Sequence, residues 1–451
     1  MLYVSTRGAG PVPLSTALEL GLAPDGGLFV PATPIRARDT ASPEAPNDDV
    51  DSSSQPWTSL ADRLAPFLPT DWSRAEVESL VGETLAFPIP LLELEPGIFV
   101  LELFHGPSAA FKDVGARFLA RALSRDVTRA EARAWSRAEA ATESRTVLVA
   151  TSGDTGGAVA AAFDGVAGTR VVVVYPEQGV TELQRRQFTT LGENVRALAV
   201  PGPFDECQRL VKQALAAPEL SERFRLTSAN SINIGRLLPQ MLYYWLAADE
   251  LHRQGVHERP TFVVPSGNLG NLTAGLMAAS AGVPGASFLA ALNRNDALAR
   301  WLAHREIAAN QATVRTPSSA MDVAQPSNLE RLQWLERAQP SALKPLSGAE
   351  VVDDEATLDS LRDTWRQTGQ LVCPHSAVGL AAARRARAAG ASAPLIVLAT
   401  AHAGKFPDVV RQATGVSPEL PPALAHRWVG PERFERIAAS LNQLEAVLTH
   451  A

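Results

Sequence analysis

TVLVATSGDTGGAVAAAF, residues 146–163, is followed after a short break by RVVVVYP, residues 170–176, and the two together read as strand, glycine turn, helix and strand. Short β-rich apolar runs that alternate with helical segments imply parallel strands in an α/β layer architecture. Similar units recur along the chain. VRALAVPG (195–202) precedes the helical DECQRLVKQAL (205–215), TFVVPSGNLGNLTAGLMAA (261–279) repeats the strand–turn–helix order, SFLAALN (287–293) is a further strand, and PLIVLATAHAGKFPDVVRQA (394–413) is the last unit. Their spacing has no fixed period, which excludes a repeat protein.

On the N-terminal side, LSTALELGL (14–22) is a short helical pattern with Ser15 in position to cap it. PDGGLFVP (24–31) follows, its Asp-Gly-Gly reading as a turn into a strand. RARDTASPEAPNDDVDSSSQP (36–56) is rich in Pro, Ser and Asp, has little to bury, and reads as a mobile surface insertion. SRDVTRAEARAWSRAEAATESR (124–145) mixes Ala, Arg and Glu and reads as an exposed helix or a disordered insertion between ordered elements. The expected division is an N-terminal region over 1–100, a first α/β domain over 101–240 and a second α/β region over 241–451.

With 451 residues, 46% apolar and 20% charged, the chain has the composition of an ordinary soluble protein of two or three packed domains. The net charge is −7 with acidic and basic residues interspersed, which argues against a nucleic-acid surface and for small-molecule partners. Cys207 and Cys373 lie far apart, so neither a disulfide framework nor a cysteine metal cluster is indicated, and a reducing compartment is the default. The opening MLYVSTRGAG has no apolar core of signal-peptide length, and no apolar stretch reaches ~18 residues. A cytoplasmic protein without a membrane partner is expected.

Of 41 basic side chains only Lys112, Lys212, Lys344 and Lys405 are lysines; the rest are arginines. Where charge alone serves, this chain writes arginine, so a retained lysine points to a need for an amine that can lose its proton and attack a carbonyl. Lys212 and Lys344 read as survivors of the compositional bias. Lys112, after the alternating run GIFVLELF in HGPSAAFKD (105–113), stays open to chemistry, as does Lys405, which reads equally as a lysine facing an anionic cleft or as a solvated helix-start residue.

In open α/β sheets, ligands sit beyond the carboxyl ends of strands, where helix N-termini offer N–H groups to anions. PSGNLGNLTAG (265–275) and ATSGDTGGAVA (150–160) both have this layout, and neither has the G-x-G-x-x-G spacing of a dinucleotide loop. Gly267, Gly270 and the small Asn side chains allow backbone amides to approach a phosphate closely. One amine after a strand together with two phosphate-type loops suggests a phosphorylated carbonyl compound held as a Schiff base, and pyridoxal 5'-phosphate is the obvious candidate.

The segments LELFHGPSAAFKD (101–113), ATSGDTGGAVA, SANSINIGR (228–236), VPSGNLGNLTAGL (264–276), SSAMDVAQPSN (318–328) and TAHAGKF (400–406) stand in the order found in the threonine synthase family of the longer, microbial type. YVSTRG (3–8) and GLAPDGGLFVP (21–31) also resemble that family's N-terminus. The resemblance spans nearly the whole chain apart from the two biased stretches. It implies a fold-type II pyridoxal-phosphate enzyme of the tryptophan-synthase-β kind, with two α/β domains of mostly parallel twisted sheets, the active site in the cleft between them, and a small N-terminal region. It implies the conversion of O-phospho-L-homoserine and water into L-threonine and phosphate, by a monomer or homodimer. Nothing resembles the extra N-terminal region of plant relatives.

Residue by residue, the resemblance makes Lys112 the catalytic, Schiff-base lysine. Gly267, Asn268, Leu269, Gly270 and Asn271 would wrap the cofactor phosphate, Thr400 would partner the pyridine nitrogen, and Asp154 would lie near the phenolic oxygen. Ser152 and Thr155 match ligands of the substrate carboxylate, and Asn230, Ser231 and Arg236 match ligands of the substrate phosphate. Arg236 suits an anion because its planar fork can hold two oxygens at once.

Departures from the family pattern are few. Ser108 and Ala109 are smaller than usual, which predicts a looser wall beside Lys112. Ala403 and Gly404 replace a turn with proline, which predicts a more flexible turn. Leu269 stands where an aromatic is common. His105 and His402 read as hydrogen-bonded structural histidines, His375 as part of the cleft wall near a helix N-terminus, and Cys373 as buried rather than reactive. The histidines lack metal-ligand spacing. The alternatives are another lyase of the same fold, such as a threonine dehydratase, and a cofactor-free sensor of phosphorylated metabolites. NSINIGR and the N-terminal motifs argue against the first; intact Lys112, Thr400 and both loops argue against the second.

Overall fold

A computed structural model describes residues 1–33, 57–133, 144–151, 153–178, 180–283, 285–305, 311–427 and 429–449. The stretch 36–56 and Ser152 lie outside these residues. The helix that begins at Lys112 continues to Arg133 and so enters the Ala/Arg/Glu-rich stretch, of which 134–143 lie outside.

Fourteen strands are present among the described residues. In the N-terminal third they are β1 (Leu2–Ser5), β2 (Val12–Pro13), β3 (Phe29–Pro31), β4 (Leu91–Glu95) and β5 (Ile98–Glu102). β6 (Arg145–Ala150), β7 (Thr169–Pro176), β8 (Val195–Val200) and β9 (Leu226–Ser228) follow. The remainder are β10 (Thr261–Pro265), β11 (Ser287–Leu292), β12 (Leu346–Val351), β13 (Leu395–Ala399) and β14 (Glu435–Arg436).

They form a small antiparallel sheet of order β2-β1-β3, a five-stranded sheet of order β14-β8-β7-β6-β9, and a six-stranded sheet of order β12-β11-β10-β13-β5-β4. The five-stranded sheet is wholly parallel. In the six-stranded sheet only the edge pair β4–β5 is antiparallel. β6 and β13 are buried at every position, as expected of strands with helices on both faces. Their β-branched and leucine side chains suit that environment. Among the described residues no helix is long and apolar enough to cross a membrane.

Strand order positions the site. β10, β13 and β5 are neighbours, so the segments after their carboxyl ends (the 266–270 loop, Thr400 and the approach to Lys112) open side by side, as the general rule for α/β sheets requires. β6 and β9 are neighbours in the other sheet, so the 151–155 and 229–236 segments also adjoin. Backbone pairing between the Thr400 segment and the approach to Lys112 continues past the strands. Phe111 N donates to Thr400 O at 2.8 Å and His402 N to Ala109 O at 3.1 Å, which fixes the lysine loop against the TAHAGKF turn.

Two local expectations need correction. The first helix, Leu14–Leu20, starts before Ser15; Pro13 precedes it at φ −69° and no side chain caps it, because the proline ring already holds the chain at a helix-compatible φ. The turn at Ala403–Gly404 is packed rather than open. A Cβ on Gly404 would clash with the carbonyl oxygen of Glu419, so glycine there serves close backbone approach.

Candidate active site

Every described residue assigned to the site from sequence lines one cleft between the two larger sheets: Lys112, Asp154 and Thr155 on one side, Asn230, Ser231 and Arg236 on another, and Gly267–Asn271 with Thr400 opposite. Phe111, Met321 and His375 complete the wall around them.

Lys112 begins its helix, and its side chain is 17% exposed. Its amine lies 3.7 Å from Asp154 Oδ2 and 5.2 Å from the centre of the Phe111 ring. Burial lowers its pKa from the ordinary lysine range; Asp154 opposes that, while Lys405 and Arg236 add to it.

Asp154 is buried at the start of the helix Asp154–Phe163. Oδ1 accepts from Lys405 Nζ at 2.7 Å and from Gln184 Nε2 at 3.1 Å. Gln184 is itself fixed by a capping box with Thr181, at the start of the helix Glu182–Thr189. Burial alone would raise the Asp154 pKa, but the ammonium groups of Lys405 and Lys112 more than reverse this and hold the carboxyl well below the usual range. Asp154 is therefore an anion shared by two lysines. Lys405 has no exposed side-chain surface and donates a second bond, at 2.7 Å, to Ser108 O. The solvated alternative for Lys405 is thus excluded.

The loop after β10 enters the helix Gly270–Ser280 through Leu269, which takes the left-handed conformation at φ +60°. The first turn of that helix leaves N–H groups without intrahelical partners, directed as a helix N-terminus directs them toward anions. A Cβ on Gly267 would come within 2.8 Å of Met321 Cα, so the loop backbone lies hard against the 320–321 segment. Asn271 Oδ1 accepts from Tyr243 OH at 2.5 Å and Tyr244 OH at 2.6 Å, which orients the amide and leaves its buried Nδ2 without a partner.

Asn268 Nδ2 donates to Ser231 Oγ at 2.5 Å, which bonds the 267–271 loop to the 229–236 segment, and Asn328 Nδ2 donates to Asn268 O at 2.9 Å. Behind them Arg331, wholly buried, donates to Phe29 O (3.1 Å), Ser231 O (3.1 Å), Ile232 O (2.6 Å) and Asn328 Oδ1 (2.5 Å). Sequence reading missed Arg331, because LERLQWLERA looks like an ordinary charged helix.

Arg236 is 2% exposed, a buried guanidinium in the wall of the cleft. Nη1 donates to Ala229 O at 2.5 Å, and Nε is buried without a partner. Burial brings its pKa down to about 10, with Asp113 opposing, and it remains a cation. Asn230 lines the cleft, and its side chain is hydrogen-bonded to the neighbouring strand end. Its Nδ2 donates to Ala150 O at 2.7 Å and its Oδ1 accepts from Ala150 N at 3.2 Å, so the amide locks the 229–236 segment to the end of β6.

His375, the second residue of the helix Pro374–Ala388, accepts from Ala320 N through Nε2 at 3.1 Å. That bond assigns the proton of the neutral ring to Nδ1. Burial pushes its pKa down to about 4, with Asp154 opposing. His105 is outside the cleft and pairs with Glu102 at 2.7 Å, and His402 Nδ1 accepts from Gly404 N at 3.1 Å. Cys373 is buried, with Sγ 3.1 Å from Ser376 Oγ.

Comparison with known proteins agrees with this geometry. Residues 77–401 match the family model of pyridoxal-phosphate-dependent enzymes, 2–84 match the threonine synthase N terminus and 376–448 the threonine synthase C-terminal region. The chain is 38% identical over 439 residues to threonine synthase of Serratia marcescens, covering 97% of this chain and 96% of that one. The chain belongs to the threonine synthase family. Among solved structures, threonine synthase from Escherichia coli superposes with a TM-score of 0.87 at 36% identity, covering 100% of both chains. PLP-bound threonine synthase from Brucella melitensis gives 0.83 at 34% identity, covering 100% of this chain and 99% of that one.

Membership makes this a pyridoxal-phosphate-dependent lyase with a fold-type II architecture, and the site fits that cofactor. A poised amine, a glycine-lined helix N-terminus and the unpartnered Nδ2 of Asn271 lie around one cleft. Together they supply an amine for an aldehyde and donors for a phosphate.

Proposed function

We propose that the chain converts O-phospho-L-homoserine and water into L-threonine and inorganic phosphate, acting in the cytoplasm on free metabolites. The observation that carries this reading is that one cleft holds both the poised Lys112 amine and the desolvated, incompletely paired Arg236 guanidinium. The first serves proton transfer at carbon. The second serves a substrate that brings a phosphate of its own, which an amino-acid dehydratase has no need to bind.

Lys112 would hold pyridoxal phosphate, with Gly267–Asn271 around its phosphate, Thr400 at its ring nitrogen and Asp154 toward its phenolic oxygen. When bound, the cofactor supplies a conjugated acceptor for the electron pair left at the substrate's Cα. The chain's residues supply binding, orientation and proton movement. Thr155, with Ser152 by its place in the sequence motif, receives the substrate carboxylate. Arg236 and Ser231 receive the γ-phosphate, and the Asn230 clamp on Ala150 keeps the segment carrying them in place. As a free amine, Lys112 would stand beside Cα and Cβ of the substrate and carry protons from both. Arg236 stabilises the charge that grows on the departing phosphate. Lys112 then returns one proton to Cγ, which becomes the methyl carbon, and one to Cα as water adds at Cβ; burial, by lowering its pKa, favours the neutral amine that takes protons.

Turnover in 18O-enriched water tests the reading. One solvent oxygen in the threonine hydroxyl, with none in the released phosphate, is expected for C–O cleavage followed by hydration at carbon. Solvent oxygen in the phosphate with homoserine as the other product would make the chain a phosphatase and overturn it.

A further inference from the structure

The chain retains only four lysines, and two of them, Lys112 and Lys405, contact the same carboxylate from opposite oxygens. The two contacts are unequal. Lys405 holds Asp154 Oδ1 at 2.7 Å, while Lys112 stands 3.7 Å from Oδ2. Lys405 has no exposed surface and lies in the short turn Ala403–Lys405, whose Gly404 is packed against the Glu419 backbone. Its other bond, to Ser108 O, is to the loop that carries Lys112. It therefore ties the lysine loop, the Asp154 helix and the TAHAGKF turn at a single ammonium.

We propose that Lys405 is a positioning residue for Lys112. By holding Asp154 from the far side, it prevents that carboxylate from becoming a private counter-ion of Lys112, and so keeps the Lys112 amine available to a carbonyl carbon and to protons. The charged groups facing Lys112 are Asp154 from its helix, Lys405 from the turn, Arg236 from the helix Ile234–Leu237 and His375 from the helix Pro374–Ala388. His375 is neutral above about pH 4, so Asp154 is the one anion among these and the two other cations oppose it. Removing Lys405 takes away a like charge and leaves Lys112 as the one lysine beside the carboxylate, with the neutral Gln184 amide; both changes strengthen the hold of Lys112 on its proton. An arginine, the chain's usual cation, is a broad fork in place of a compact ammonium able to satisfy one carboxylate oxygen and one carbonyl together.

The proposal rests on Lys112 as the cofactor-bearing amine, yet it can be tested on the cofactor-free protein without any turnover, so its failure is distinct from failure of the proposed reaction. Lysine labelled with 13C at Cε gives one resonance for each of the four lysines, and the Lys112 signal is assigned by its loss in Lys112→Ala. K405Q can keep hydrogen bonds in the pocket but removes the charge; K405M removes both. We expect the Lys112 titration midpoint to rise by about 1 pH unit in either variant. Pyridoxal phosphate uptake at neutral pH should slow about tenfold in step, since each unit changes the free-amine fraction about tenfold. K405R, which retains the charge, should keep the midpoint closer to that of the natural protein than K405Q does. An unchanged midpoint in a folded neutral variant would overturn the proposal, as would a rise in K405R equal to that in K405Q. Loss of fold in both neutral variants would also overturn it, in favour of a purely structural role.

Discussion

Asp154 and Lys405 form a buried ion pair, 2.7 Å between Oδ1 and Nζ, that joins the segment after β6 in one sheet to the segment after β13 in the other. The pair is closed to solvent, and Asp154 is the only carboxylate bonded to Lys405 among the described residues. Asp154→Asn leaves a buried ammonium without a counter-ion, so unfolding in denaturant should show a loss of about 3 kcal/mol. A loss below about 1 kcal/mol, the scale of an exposed pair, would mean the pair is not desolvated in solution.

Arg236→Ala removes the guanidinium and leaves Ala229 O without its donor. With O-phospho-L-homoserine, kcat/KM should fall about 10²-fold, as for loss of one preorganised donor to a leaving anion. Binding of pyridoxal phosphate should change little, because its phosphate loop is a different segment. Equal losses in both would show that the two anion sites are not separate.

Gly267→Ala forces a Cβ to within 2.8 Å of the Met321 backbone, where no flexible side-chain end can yield. Overpacking of about 1–3 kcal/mol should appear as cofactor affinity weakened about tenfold or more, read by equilibrium dialysis. Undiminished retention would mean the loop amides do not hold the phosphate.

Acid stability has two opposing contributors in the cleft region. The folded pKa of His375, about 4, lies below its ordinary 6.5, so the unfolded chain binds the extra proton in between. Its contribution is complete above pH 6.5 and is lost as pH falls toward 4. Burial raises Asp113 from 3.8 to about 6, so there the folded chain binds the extra proton, and that contribution is present below 3.8 and lost as pH rises through 6. Each slope is about 1.4 kcal/mol per pH unit and the two nearly cancel. Relative to the natural protein, His375→Gln should gain stability on acidification and Asp113→Asn should gain it on alkalinisation across pH 4–6.5. Denaturant unfolding of the cofactor-free forms checks this, and parallel curves for all three would contradict it.

The strand–turn–helix units from 146 onward were legible because each is encoded locally, by a β-branched run and a glycine turn. Lys112, the 267–271 loop and Arg236 were legible through motif order. Less legible was what decides the burial of a charge. Nothing near Lys405 in sequence announces Asp154, or that the turn carrying it packs at Gly404 against the Glu419 backbone. Arg331 is buried because carbonyls from Phe29 and Ile232 converge on it from distant segments. Asn230 matched a ligand by motif, yet its amide is engaged by Ala150, which only the adjacency of β6 and β9 reveals.

The most direct measurement incubates the purified protein and pyridoxal phosphate with O-phospho-L-homoserine and quantifies phosphate, threonine and 2-oxobutyrate together, with Lys112→Ala alongside. We predict equal phosphate and threonine, with turnover reduced at least about 10³-fold in the variant, as for loss of the group that carries the protons. Phosphate accompanied by 2-oxobutyrate in place of threonine, or full turnover without the Lys112 amine, would contradict the account.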